Sequence, residues 1–100
     1  MIMIDTDLKT DIQIKGHAGY APAGSDIVCA AVSILYETLK RMLRPGLDGT
    51  VIEDENGIRI EINPDLGTWG RVSLNYFITG IQMLEREYPK HVQLKIGRAN

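Results

Sequence analysis

The chain has 100 residues, 44% of them hydrophobic, and its 11 basic and 13 acidic side chains give a formal net charge of −2. That length accommodates one domain around one core and leaves no room for a separate regulatory domain or a large cofactor fold. Dispersed charge excludes a basic nucleic-acid surface. No apolar stretch approaches the roughly 20 residues of a membrane span, and the N-terminus lacks the pattern of a secretory signal, so a cytoplasmic protein is expected.

Ile2 and Ile4 open a short strand. A turn through Asp5-Thr6-Asp7 and Lys9-Thr10 leads to a second strand from Asp11 to Lys15, where Ile12 and Ile14 alternate with Asp11, Gln13 and Lys15. Such alternation marks a strand with one buried face. A glycine-rich segment follows. Then Val28, Ala31, Val32, Leu35, Leu39 and Met42 repeat at the spacing of a buried helical stripe, which predicts a helix from about Asp26 to Leu43. Ser25 or Asp26 is the expected N-cap, and Pro45-Gly46 ends the helix.

Thr50 to Asp54 and Ile58 to Ile62 read as a hairpin closed by Glu55-Asn56-Gly57, whose Asn-Gly pair is a turn signal. A second helix is expected from about Val72 to Tyr88, with Leu74, Phe77, Ile78, Ile81 and Leu84 on its buried stripe and Pro89 as its stop. Val92, Leu94 and Ile96 form a last alternating strand. The order is ββαββαβ. The expected fold class is α/β of the α+β kind: a two-layer sandwich with a mainly antiparallel five-stranded sheet and both helices on one face.

The segment from Gly16 to Ala31 carries the chemistry. It holds the only cysteine, Cys29, and His17 lies twelve positions before it, one of only two histidines. A lone cysteine cannot form an internal disulfide, which suits a reducing compartment and leaves the thiol free. Its bland alternative is a small core residue. However, with Val28 at the centre of the stripe, Cys29 falls about 100° away on the helix flank, and Ser33 shares that flank one turn later. A helix that starts at Asp26 would also set Cys29 in its first turn, where the dipole and free N–H groups favour a thiolate and stabilise an oxyanion. His17, at the end of a strand, would take the thiol proton and return it to a leaving group. His91 has no motif around it and reads as a solvated residue.

Other readings of the segment fail on their residues. A zinc site needs paired ligand spacing that Cys29, His17 and Asp26 do not have. Gly19 and Gly24 have the spacing of a phosphate loop, but Ser25 and Asp26 stand where Lys and Ser or Thr belong. A dithiol redox motif lacks its second cysteine. No metal and no cofactor is therefore expected. Trp69 precedes the second helix and reads as a core or interface residue rather than a substrate platform.

Gly16-His17-Ala18, then Gly24, then Asp26-Ile27-Val28-Cys29-Ala30-Ala31-Val32-Ser33 resembles the signature of the ribosomal-processing cysteine protease family, Prp, and the histidine-to-cysteine spacing is that of the family. The resemblance is dense over positions 14 to 35 and elsewhere extends to length and element order. It implies a metal-free, dimeric endopeptidase with a dyad of His17 and Cys29. It also implies removal of the short N-terminal extension of large-subunit ribosomal protein twenty-seven, or, in phage relatives, cleavage of capsid or scaffold proteins. Asp26 and Ser33 would then support the dyad, while Gly16, Gly19 and Gly24 would let the loop fold over substrate. An extended substrate would pair with a sheet edge or loop. Two competitors differ in kind: a non-enzymatic ribosome or phage assembly factor, indifferent to Cys29, and a thiol hydrolase of small molecules, which would need a deep pocket.

Overall fold

Alternating branched apolar and polar residues build the first two strands, β1 (Ile2–Thr6) and β2 (Asp11–Lys15). The computed structural model describes residues 1–16, 23–65 and 67–97, with the backbone alone for 23–26. The remaining elements are α1 (Ala23–Met42), β3 (Gly49–Asp54), β4 (Gly57–Ile62), α2 (Gly67–Glu87) and β5 (Val92–Ile96). All seven expected elements are present in the expected order. The sheet runs β3-β4-β2-β1-β5.

Three of the four strand pairings are antiparallel; β1 and β5 pair in parallel, so the sheet is mixed. The helices explain how this arises. Each joins strands that run in the same direction but are not neighbours, which needs a long crossover rather than a tight turn. The chain climbs from β2 through α1 to β3 and later returns from β4 through α2 to β5.

Register puts Ile2, Ile4, Ile12, Ile14, Ile60, Ile62 and Val92 on one face, and all are buried. Both helices lie on that face. From α2 come Leu74, Phe77, Ile78 and Ile81, with Phe77 and Ile81 wholly enclosed. Each such side chain contributes about 1.5–3 kcal/mol of transfer free energy. From α1 come Val28, Val32, Tyr36 and Leu39, joined by Leu43 just past its end. The stripe of α1 is thus rotated from the expected one: Tyr36 and Leu43 are buried, while Ala31, Leu35 and Met42 are only partly so. The opposite face of the sheet carries Asp5, Gln13, Arg59, Glu61 and Lys95.

Both helices begin earlier than expected, α1 at Ala23 and α2 at Gly67. Trp69 therefore sits inside the first turn of α2, about half exposed, and its indole N–H donates to the Met42 carbonyl at the end of α1 (2.7 Å). That bond satisfies one of the carbonyls a helix end leaves open. After α1, the buried Asp48 carboxylate accepts from the Arg44 backbone N–H (2.7 Å), Nε (2.8 Å) and Nη2 (3.0 Å), and this closes the turn into β3. His91, expected as a solvated residue, is half-buried in the turn before β5; its carbonyl accepts from the Ile2 N–H (2.8 Å).

The β1–β2 turn is organised by Asp7. Its carboxylate accepts from the N–H groups of Lys9 (2.9 Å), Thr10 (2.8 Å) and Asp11 (3.0 Å) and from the Thr10 hydroxyl (2.9 Å). Burial alone would raise its pKa, but these four bonds outweigh burial and hold it at about 2. A depressed carboxyl pKa adds stability that is full above the unfolded value and lost as pH falls towards the folded one. Acid titration between pH 4 and 2 is therefore expected to lower the unfolding midpoint in urea. Asp7→Ala should flatten that dependence and cost about 1 kcal/mol at pH 7; an unchanged acid slope in Asp7→Ala would refute the assignment.

Candidate active site

Cys29 lies on the flank of α1 next to the fully buried Val28, packed against the core yet partly open to solvent. It lines a cleft of about 310 Å³ between α1, the ends of β1 and β2, and the β3–β4 hairpin. Ser33, one turn on, lines the same cleft. The flank geometry read from the helical period is what the structure has. The floor is apolar, from Ile2, Ile14, Val32 and Ile58, and the far wall is acidic, from Glu53 and Asp54.

Gly16 lines this cleft as well, and its reason for being glycine is structural. Its φ is +87°, and a Cβ added there would lie 2.3 Å from the Met1 carbonyl oxygen. Gly57 at the hairpin has the same character: φ is +129°, and a Cβ would lie 2.5 Å from the Ile14 carbonyl oxygen. The Asn-Gly signal thus marks a turn, but the glycine opens β4 rather than occupying the turn's centre, and it lets the hairpin approach β2.

The sequence-derived site is placed in part. His17 and Gly19 lie outside the described residues. Gly24 and Asp26 fall inside the first turn of α1 rather than before it, so Asp26 is not the N-cap. Cys29 is consequently the seventh residue of the helix, beyond the first turn where the dipole is strongest. Its own N–H is bonded within the helix; the unpaired donors of a helix start are the first four. The expectation that Cys29 sits at the helix end, with its own N–H free to serve as an oxyanion donor, is therefore corrected.

One pair went unnoticed in the sequence. The Tyr36 hydroxyl donates to Glu53 Oε2, and Lys40 Nζ reaches the same oxygen at 3.0 Å. Burial and the adjacent carboxylate push the Tyr36 hydroxyl well above its ordinary pKa, and the Tyr36 and Lys40 hydrogen bonds hold Glu53 below the usual carboxylate range. Tyr36 lies on α1 and Glu53 on β3, seventeen residues further on, so no local spacing links them. Among the described residues no three His, Cys, Asp or Glu side chains gather to hold a metal. No described helix is long and apolar enough to cross a membrane.

The family profile described as "Cysteine protease Prp" matches residues 1–93. Among solved structures, the chain is similar to the essential ribosomal processing protease Prp from S. aureus in complex with a covalently linked product peptide: TM-score 0.78, 25% identity, covering 95% of this chain and 98% of that one. It is also similar to SMU.848 from Streptococcus mutans, with TM-score 0.76 and 28% identity over 99% of this chain and 96% of that one. The S. aureus protease with a substrate peptide aligns at TM-score 0.75 and 23% identity, over 95% of this chain and 98% of that one, which speaks for the fold. No curated protein matches the chain.

Proposed function

Since the chain belongs to the Prp family of cysteine proteases, we propose that it processes a ribosomal protein, removing the short N-terminal extension of large-subunit protein twenty-seven through Cys29 and His17. The observation that carries this reading is the cleft in which the sole cysteine, Ser33 and Gly16 meet. Gly16 lines that cleft and immediately precedes His17 in the chain.

The chemistry runs as follows. His17 accepts the Cys29 proton, and the thiolate attacks the scissile carbonyl. Backbone N–H groups at the cleft stabilise the oxyanion that forms. His17 then protonates the departing amine, and water hydrolyses the thioester to return free Cys29. The apolar floor of Ile2, Ile14, Val32 and Ile58 accommodates a large apolar substrate side chain beside the thiol. Ser33 and Asp26 support the dyad from α1, and Gly16, Gly19 and Gly24 flank the loop that closes on substrate. The protein works in the cytoplasm without metal or cofactor.

The test is incubation of the purified protein with a peptide carrying the ribosomal extension, read by mass spectrometry. One cut at one bond is the expected result. No cut on that peptide, with cleavage of a phage capsid or scaffold peptide, would overturn the ribosomal assignment and keep the protease.

The working form is a homodimer joined through the outer surfaces of α1 and α2. An apolar groove of about 660 Å³ runs between the helices there. Ile34 (64% exposed), Met83 (62%), Tyr76 (53%) and Val72 (51%) crowd its rim, an unusual concentration for a chain of this size. Met83→Glu would place a charge in that contact and is expected to weaken dimerisation at least about tenfold, since an unpaired charge is costly in an apolar interface. Sedimentation equilibrium measures it, and an unchanged dimer constant would exclude this face.

A further inference from the structure

A second cavity, of about 290 Å³, lies further along α1 and is lined by Lys40, Leu43, Gly49 and Val51. It and the Cys29 cleft sit on either side of one contact, the Lys40–Glu53 ion pair, since Lys40 lines one and Glu53 the other. They follow one another along α1 and the outer rim of β3 and outline a groove that the ion pair interrupts. That strand is at the edge of the sheet, paired with β4 on one side and bridged by Pro45 at Gly49 on the other, so alternate backbone N–H and C=O groups beyond Gly49 are available to another extended chain.

We propose that this groove is a specificity site for substrate: an extended peptide segment leaving Cys29 lies along β3, and a lysine or arginine in it displaces Lys40 and pairs with Glu53. The inference rests on the peptidase reading above and adds a charge preference to it. Glu53 is built for the task. Tyr36, 5% exposed, is held by the core and donates its hydroxyl to Oε2, which fixes the carboxylate in place. Lys40 binds the same oxygen, so Oε1 has no donor among the described residues. The Lys40–Glu53 pair itself is open to water, with side chains 43% and 49% exposed, and such pairs are worth little. Displacing Lys40 therefore costs little, whereas a guanidinium could engage both oxygens. Asp54 on the same wall adds negative charge. From Cys29 to Tyr36 the helix rises about 10 Å, which an extended chain covers in about three residues.

The experiment profiles cleavage of a mixed peptide library, prepared by digestion after acidic residues so that lysine and arginine fall internally. Wild type, Glu53→Gln, Glu53→Lys and Cys29→Ala are compared by mass spectrometry. Wild type is expected to enrich lysine or arginine at one position, about three or four residues from the cut bond. For a matched pair of cleaved peptides, Lys against Gln at that position, wild type should favour Lys about tenfold in kcat/KM, chiefly through KM. Glu53→Gln should bring that ratio close to one, and Glu53→Lys should invert it. Tyr36→Phe, which keeps the ring, should narrow it. Cleavage that depends on Cys29 but shows no basic preference, or a preference that survives Glu53→Gln, overturns the groove assignment and leaves the protease intact. Absence of any cut that depends on Cys29 overturns the protease reading and this one with it.

Discussion

Cys29→Ala is expected to lower the rate of extension cleavage at least about 10³-fold, to the background of the assay. The size of the effect follows from the inventory. Cys29 is the only thiol in the chain. Ser33 shares its wall but is a turn away, and a hydroxyl at neutral pH is a far weaker nucleophile than a thiolate. Stability should hardly move. Cys29 is at the margin of the core, partly open to the cleft, and alanine leaves the helix at least as favourable. The variant should thus unfold within about 1 kcal/mol of wild type and still bind the peptide. Product formation by mass spectrometry, with urea unfolding and peptide binding as companions, reads all three. A cut that persists in Cys29→Ala would remove the thiol from the mechanism. His17→Ala is expected to lose activity to a similar degree, as the proposed dyad requires.

Gly16→Ala is expected to cost roughly 2–4 kcal/mol of stability and to slow cleavage strongly, although residue 16 carries no functional group. Two costs coincide. At φ +87° a Cβ is strained, and its nearest neighbour would be the Met1 carbonyl oxygen at 2.3 Å. That neighbour is backbone, held beside β2 by the β1–β2 pairing, in which Met3 faces Lys15. It cannot turn aside as a side-chain tip would. Relief must come from moving the end of β2, the segment from which the chain passes to His17. Displacing it by even about 1 Å would misplace the proposed base, whose transfer of a proton requires hydrogen-bond distance. Urea unfolding and kcat/KM on the extension peptide measure the two effects. Full stability with full activity would show that the strand end has slack which its geometry denies. Iodoacetamide labelling of Cys29 in the native variant separates loss of the base's position from loss of the cleft.

Some of this was open to reading in the sequence because it is local. The strands showed in Ile12-x-Ile14 and Ile58-x-Ile60-x-Ile62, where a period of two marks one covered face. Cys29 and Ser33 were placed on one flank because four residues make about one helical turn. The protease family is visible in the stretch from Gly16 to Ser33 that holds His17 and Cys29. The starts of the helices were less legible. Ser25 and Asp26 are good caps, but Ala23 and Gly24 can be helical too, and the first turn goes to whichever start the surrounding chain favours. Tyr36 was missed as a core residue because its hydroxyl suggests the surface; the Glu53 carboxylate supplies the partner that lets the ring be buried.

By itself, then, the sequence determined which segments are strand or helix, which faces are apolar, that there is one thiol, and which family the site resembles. These properties depend on neighbours a few residues apart. Only the tertiary structure decided the strand order, the parallel pairing of β1 with β5, the meeting of β3 with α1, and the groove that joins Cys29 to Glu53. An alternating strand looks the same whether its neighbour runs parallel or antiparallel, because alternation records a covered face and not a partner. The choice among partners is made by crossover connections and by how both helices share one face of the sheet, and those are properties of the whole chain.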